Sequence, residues 1–129
     1  MKVAGASEIT GADGGYDLVT YFDCLHDMGD PVGALRQIRG LLDTGAPLLI
    51  ADERAAESFT APGDEVERLL YAFSVLHCLP ATLAEAPKIA HGTVLRADTV
   101  RQWARDAGYT SVDILPITND LWRFYRLEP

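Results

Sequence analysis

Two short apolar, β-prone runs flank a helix-patterned segment, and this triplet constrains the fold most. The runs are YDLVTYF at residues 16–22 and PLLIADE at about 47–53. A strand wetted on one face alternates apolar and polar residues. Near-continuous apolar runs instead suit strands buried on both faces, as in a parallel sheet. Between them, Asp30 is a good N-cap and Pro31 a good first helical residue. Val32, Leu35, Ile38, Leu41 and Leu42 then recur on one helical stripe, and Gly45 supplies a stop. The spacing predicts a helix over about 31–43 and a strand–helix–strand unit.

The remaining chain extends this alternation. Val3-Ala4 reads as the tail of a strand and residues 11–15 as a turn. After a loop with Pro62 and Gly63, residues Val66, Leu69, Leu70, Phe73 and Leu76 recur at helical spacing. The stretch 79–95 reads as irregular because of Pro80, Pro87 and Gly92. ADTVRQWARDAGY reads as a helix with Val100, Trp103, Ala104 and Ala107 on one face, Asp98 in the first turn and Gly108 at its end. TSVDILP and LWRFYRL read as strands, and the short separation, residues 117–120, predicts an antiparallel hairpin. The expected fold is α/β: a mostly parallel sheet with helices on both faces, its hairpin adding an antiparallel strand at one edge.

Composition narrows the function. The chain of 129 residues suits one domain, and 48% apolar with 23% charged residues is ordinary globular usage. No apolar run approaches the roughly 18–20 residues of a spanning helix, and the N-terminal residues lack a signal-peptide core. A cytoplasmic location without membrane partners is the expectation. The 11 Lys and Arg against 19 Asp and Glu give a net charge of −8, which disfavours a phosphate-backbone partner. Cys24 and Cys78 lack metal-ligand spacing and read as free, buried thiols, so no metal site is expected.

The segment GYDLVTYFDCLHDMGDPVGALRQIRGLLDTGAPLLIADE resembles the fourth strand, following helix and fifth strand of class I S-adenosylmethionine-dependent methyltransferases. DAGYTSVDILPITNDLWRFYRL resembles their closing helix, strand and antiparallel last strand. The similarity runs from Val3 to Leu127 and is nearest to bacterial O-methyltransferases. It implies a partial Rossmann-like sheet lacking the first strands, with residues 1–129 forming the C-terminal portion of a methyltransferase domain. The Gly-rich cofactor turn of that family and the acid ending its second strand have no counterpart in this sequence. A gene fragment, a mis-called start and one half of a split enzyme would each produce this pattern. Methyl transfer to oxygen or nitrogen of a small molecule is the implied activity. An inactive remnant, or a chain needing a complementary half, is the alternative. An open edge on the strand at 16–22 would favour self-association.

Residue by residue, the resemblance implies the following roles. His26, just past a buried strand in CLHDMGDP, corresponds to a general base toward a substrate hydroxyl, and Asp27 would orient its ring or cap nearby N–H groups. Imidazole suits the task because its pKa lies near neutrality. Glu53 or Asp52, ending the next strand, corresponds to the acid flanking that histidine. Gly5 and Ala6 correspond to a turn packing on the adenine of S-adenosylmethionine, and Phe22 and Asp23 to its methionine end. Tyr71, Phe73, His77 and Cys78 fall where relatives cover the acceptor pocket, or are simply core.

Overall fold

The computed structural model describes Gly5, Ile9 and residues 15–129. Val3-Ala4, most of the turn at 11–15 and Ala6, expected from the sequence to meet the cofactor, lie outside the described residues. In chain order the elements are β1 (Val19–Phe22), α1 (Pro31–Arg39), β2 (Leu48–Glu53), α2 (Glu65–Phe73), α3 (Leu79–Leu83), α4 (Ala97–Ala107), β3 (Ser111–Ile114) and β4 (Trp122–Glu128).

The four strands form one sheet in the order β1-β2-β4-β3. β1 and β2 pair in parallel, with Val19 opposite Leu48 and Phe22 opposite Ala51. β4 runs antiparallel to both β2 and β3. β1, β2 and β3 therefore share one direction, and β4 opposes them. The antiparallel strand was expected at an edge, and the structure places it inside. The chain between β2 and β3 leaves the sheet and returns one strand-width further out. β4 then folds back into that gap, so its N–H and C=O groups are bonded on both sides.

The core lies between the sheet and the pair α1–α4. Tyr21, Leu48, Ile50, Tyr125 and Leu127 from the strands pack with Leu35 and Ile38 of α1 and Val100, Trp103 and Ala104 of α4. Burying each such side chain contributes about 1.5–3 kcal/mol, which outweighs the intrinsic preference of any single residue. Tyr109, just after α4, donates its hydroxyl to the Leu35 carbonyl at 3.2 Å and ties the two helices together. α1 starts as expected: Asp30 accepts from the Gly33 N–H at 2.9 Å, with Pro31 behind it. It stops at Arg39, earlier than expected.

Helices on both faces were also expected. On the face opposite α1 and α4, alternation turns out Thr20, Phe22 and Arg126, all exposed, with Leu49 and Phe124 partly so. α2 and α3 sit instead toward the C-terminal rim of β1 and β2. There the Thr82 hydroxyl of α3 reaches the Asp27 carbonyl at 3.2 Å. The stretch 79–95 is not all irregular, because the helix continues from α2 through one wider turn, Ser74–Cys78, into α3. Pro80 follows directly on that wider turn, whose i to i−5 bonding, Leu79 N–H to the Ser74 carbonyl, already interrupts the regular ladder. Among the described residues no helix is long and apolar enough to cross a membrane.

Candidate active site

The parallel pairing of β1 and β2 brings their C-terminal ends to one rim, where open α/β sheets bind ligands. Past β1 the chain turns sharply. Asp23 takes a left-handed conformation, φ 52°, which Asp tolerates better than most residues. A single tight helical turn, Leu25–Asp27, then folds His26 back over the end of β2.

Asp52 fastens this turn. One carboxylate oxygen, Oδ2, accepts from the Leu25 N–H at 3.2 Å, and Oδ1 accepts from His26 Nδ1 at 2.8 Å. Asp52 and His26 are almost completely buried, at 1% and 2% exposure. Glu53 Oε2 also lies 2.8 Å from Nδ1, yet it accepts no hydrogen bond there. The ring N–H points at Asp52, and Glu53 acts on the ring through charge. Both acids weighed from the sequence thus meet the histidine, with different duties. Asp52 orients the ring, and Glu53 adds a second negative charge.

The electrostatics follow from this clamp. Burial alone would pull the His26 pKa down, but the bond to Asp52 and the charges of Asp52 and Glu53 push it up to about 12. Burial likewise opposes the ionised Asp52. The bond from His26 prevails and holds its carboxyl below the usual range. Burial, reinforced by repulsion from Asp52, raises Glu53 to about 7.

The other ring nitrogen, Nε2, lies 3.3 Å from an Asp27 carboxylate oxygen. Asp23, His26, Asp27 and Glu53 line a cavity of about 400 Å³. Its apolar wall is built by Leu69, Leu70 and Phe73 of α2 with Leu121 and Trp122 at the start of β4; His77, Cys78 and Thr93 complete it. The Thr93 hydroxyl is buried and has no hydrogen-bond partner among the described residues.

Of the residues singled out from the sequence, Asp23, His26, Asp27, Glu53, Phe73, His77 and Cys78 therefore line one cavity, Asp52 meets the His26 ring, and Tyr71 stays off the cavity wall. Phe22 stands outside the cavity with its ring 65% exposed. Gly5 is exposed and does not line the cavity. Thr93, Leu121 and Trp122 were missed as site residues. Gly92 was the available signal for Thr93. It has φ +80°, and an added Cβ would lie 2.1 Å from the Ser74 hydroxyl, so only glycine lets this loop close against the helical segment.

No protein-family model matches this sequence, and no curated protein matches it either. Solved structures do match. A protein of Nostoc punctiforme PCC 73102 described as a candidate O-methyltransferase superposes over 98% of this chain, with a TM-score of 0.69 and 19% identity. An O-methyltransferase family protein from Burkholderia thailandensis superposes over 90%, with a TM-score of 0.58 and 22% identity. PigF, solved with SAH, superposes over 96%, with a TM-score of 0.63 and 19% identity. The chain covers 36%, 31% and 33% of these structures, respectively. Its fold is that of the C-terminal part of such O-methyltransferase structures, a mixed α/β sheet with one antiparallel strand.

Proposed function

We propose that this chain takes part in S-adenosylmethionine-dependent methyl transfer to a small-molecule acceptor, at oxygen or nitrogen, in the cytoplasm. One observation carries the reading: a histidine clamped by a buried aspartate at the C-terminal rim of parallel strands, on the wall of a cavity. The likeness to O-methyltransferase structures supports it.

His26 is the residue that moves a proton. Its Nδ1–H is committed to Asp52, so Nε2 is the nitrogen available to a bound hydroxyl. The two carboxylates raise the proton affinity of the ring to about 12, above the ~10 of a phenol. With that affinity the ring carries a proton on both nitrogens near neutral pH; it accepts a phenolic proton only in the minor form that has released its Nε2 proton to solvent, and the phenolic oxygen then becomes the nucleophile. Asp27 borders the same nitrogen, and the apolar wall excludes water from the acceptor. S-adenosylmethionine supplies the electrophilic methyl group when bound. The described residues fit one side of it: Asp23 lines the cavity with a carboxylate suited to an ammonium group, and Phe22 exposes a ring at the rim. Gly5 and Ala6 would face the adenine.

Because the chain spans about a third of the structures it matches, a complementary chain is part of the proposal. β1 is one of the two edge strands among the described residues, and Phe22 at its end is exposed, as are Tyr16 and Leu18 before it. A second copy, or a chain carrying the Gly-rich turn, would pair there.

Calorimetric titration with S-adenosylhomocysteine tests the reading. Micromolar binding by the purified chain is the expected result if the crevice is complete in it. Folded protein that does not bind, alone or with a complementary Gly-rich half, overturns it. In a binding-competent form, His26→Ala should abolish most turnover while cofactor affinity stays nearly unchanged.

A further inference from the structure

We propose that His26, Asp27 and Cys78 form a binding site for a borderline-soft divalent metal ion, zinc above all, whose occupancy would switch off proton transfer at His26. The site does not depend on the methyl-transfer reading. A ring nitrogen of His26, a carboxylate oxygen of Asp27 and the Cys78 sulfur lie within 4.8 Å of one another. In a tetrahedral zinc site with bonds of about 2.0–2.3 Å, neighbouring donor atoms stand about 3.3–3.6 Å apart. The His26 Nε2 to Asp27 Oδ1 distance of 3.3 Å already has that value. Small rotations of the Asp27 and Cys78 side chains complete the triangle.

Two features preorganise the three donors. Asp52 accepts from Nδ1, which is how zinc-binding histidines are commonly held, with the opposite nitrogen turned to the metal. Thr82, itself only 3% exposed, places its hydroxyl 3.2 Å from the Asp27 carbonyl and 2.9 Å from the Cys78 carbonyl. That hydroxyl brackets the two ligand-bearing segments, with Asp27 and Cys78 lying 51 residues apart in sequence. One nitrogen, one oxygen and one sulfur donor suit zinc or cobalt and disfavour magnesium and calcium, which prefer oxygen alone. The adjoining cavity leaves the fourth position open to water or a small ligand. The acids on the other side of the ring, Asp23, Asp52 and Glu53, also approach His26. The bond from Nδ1 to Asp52 commits that side to holding the ring. A metal at Nε2 and a proton acceptor at Nε2 exclude each other, so zinc would block proton transfer there.

Cobalt(II) titration of the full chain, without cofactor, tests the site. The expected result is one ion per chain with a thiolate-to-cobalt charge-transfer band that zinc displaces. Cys78→Ser should remove the band, and Asp52→Asn should weaken zinc binding by about 10–100-fold. Absence of the band, or unchanged zinc affinity in Cys78→Ser, overturns the proposal. A measurement on the unaltered chain guards against variants that fail to fold: zinc should slow alkylation of Cys78, read by mass spectrometry. Equal Cys78 alkylation rates with and without zinc, or protection confined to Cys24, overturns it.

Discussion

Asp52 holds three partners at once: the Leu25 N–H, the His26 ring and the Glu53 N–H. It is ionised and 1% exposed, so removing its charge strands a buried imidazolium. Breaking one side of a buried charged pair typically costs about 3–5 kcal/mol. Asp52→Asn keeps the shape, so a loss of about 3 kcal/mol in urea unfolding is expected, with a lowered His26 pKa in ring ¹⁵N shifts. Glu53 behaves differently, because its folded pKa is raised from 4.5 to about 7. A raised carboxyl binds its proton more tightly when folded than when unfolded. Its contribution is therefore complete below 4.5 and is lost as pH rises through about 7. Unfolding measured across that window should show stability falling with pH, and Glu53→Gln should flatten the slope. A slope unchanged in Glu53→Gln would remove that assignment.

Among the elements, α4 shows how local chemistry ends a helix. Gly108 caps it in the left-handed region at φ 96°, returning its N–H to the carbonyls of Ala104 and Arg105. An added Cβ would meet nothing closer than the Arg39 side chain at 3.6 Å. The cost of Gly108→Ala is therefore purely conformational, about 1–2 kcal/mol in thermal or urea unfolding. The junction of α2 and α3 shows the reverse. Proline and loop-like composition suggested irregular chain beyond Leu79. The wider turn at Ser74–Cys78 instead carries the helix onward and turns His77 and Cys78 toward the cavity. Such turns recur at functional sites because they shift the phase of the side chains that follow.

For the molecule as a whole, the outer edge of β1 is where association between copies can be tested. Val19 and Asp23 donate to the Pro47 and Ala51 carbonyls on the β2 side. Alternation turns the N–H groups of Thr20 and Phe22 the other way. Thr20→Pro would delete one outward donor without touching the bonds to β2. If copies pair through this edge, light scattering should show association in the parent chain and its loss in Thr20→Pro, with circular dichroism unchanged. A monodisperse parent monomer would remove the edge-pairing reading.

The sequence by itself determined the order of the elements other than α3. Strand runs at 16–22 and 47–53, the Asp30-Pro31 start and the Gly108 stop are local chemistry, and local chemistry is what periodicity and capping report. It also marked His26 and the pair of acids at 52 and 53, because residues just past buried strands fall on the binding rim of an α/β sheet. Tertiary structure decided the rest. The position of β4 inside the sheet depends on a gap created by a long crossover, which no local window contains. Which acid orients His26 depends on how the turn at Leu25–Asp27 folds over β2. The meeting of Cys78 with His26 and Asp27 depends on a helical segment docking on that turn through Thr82. Contacts between residues as far apart as Asp27 and Cys78 leave no periodic trace in the chain, and only packing brings them together.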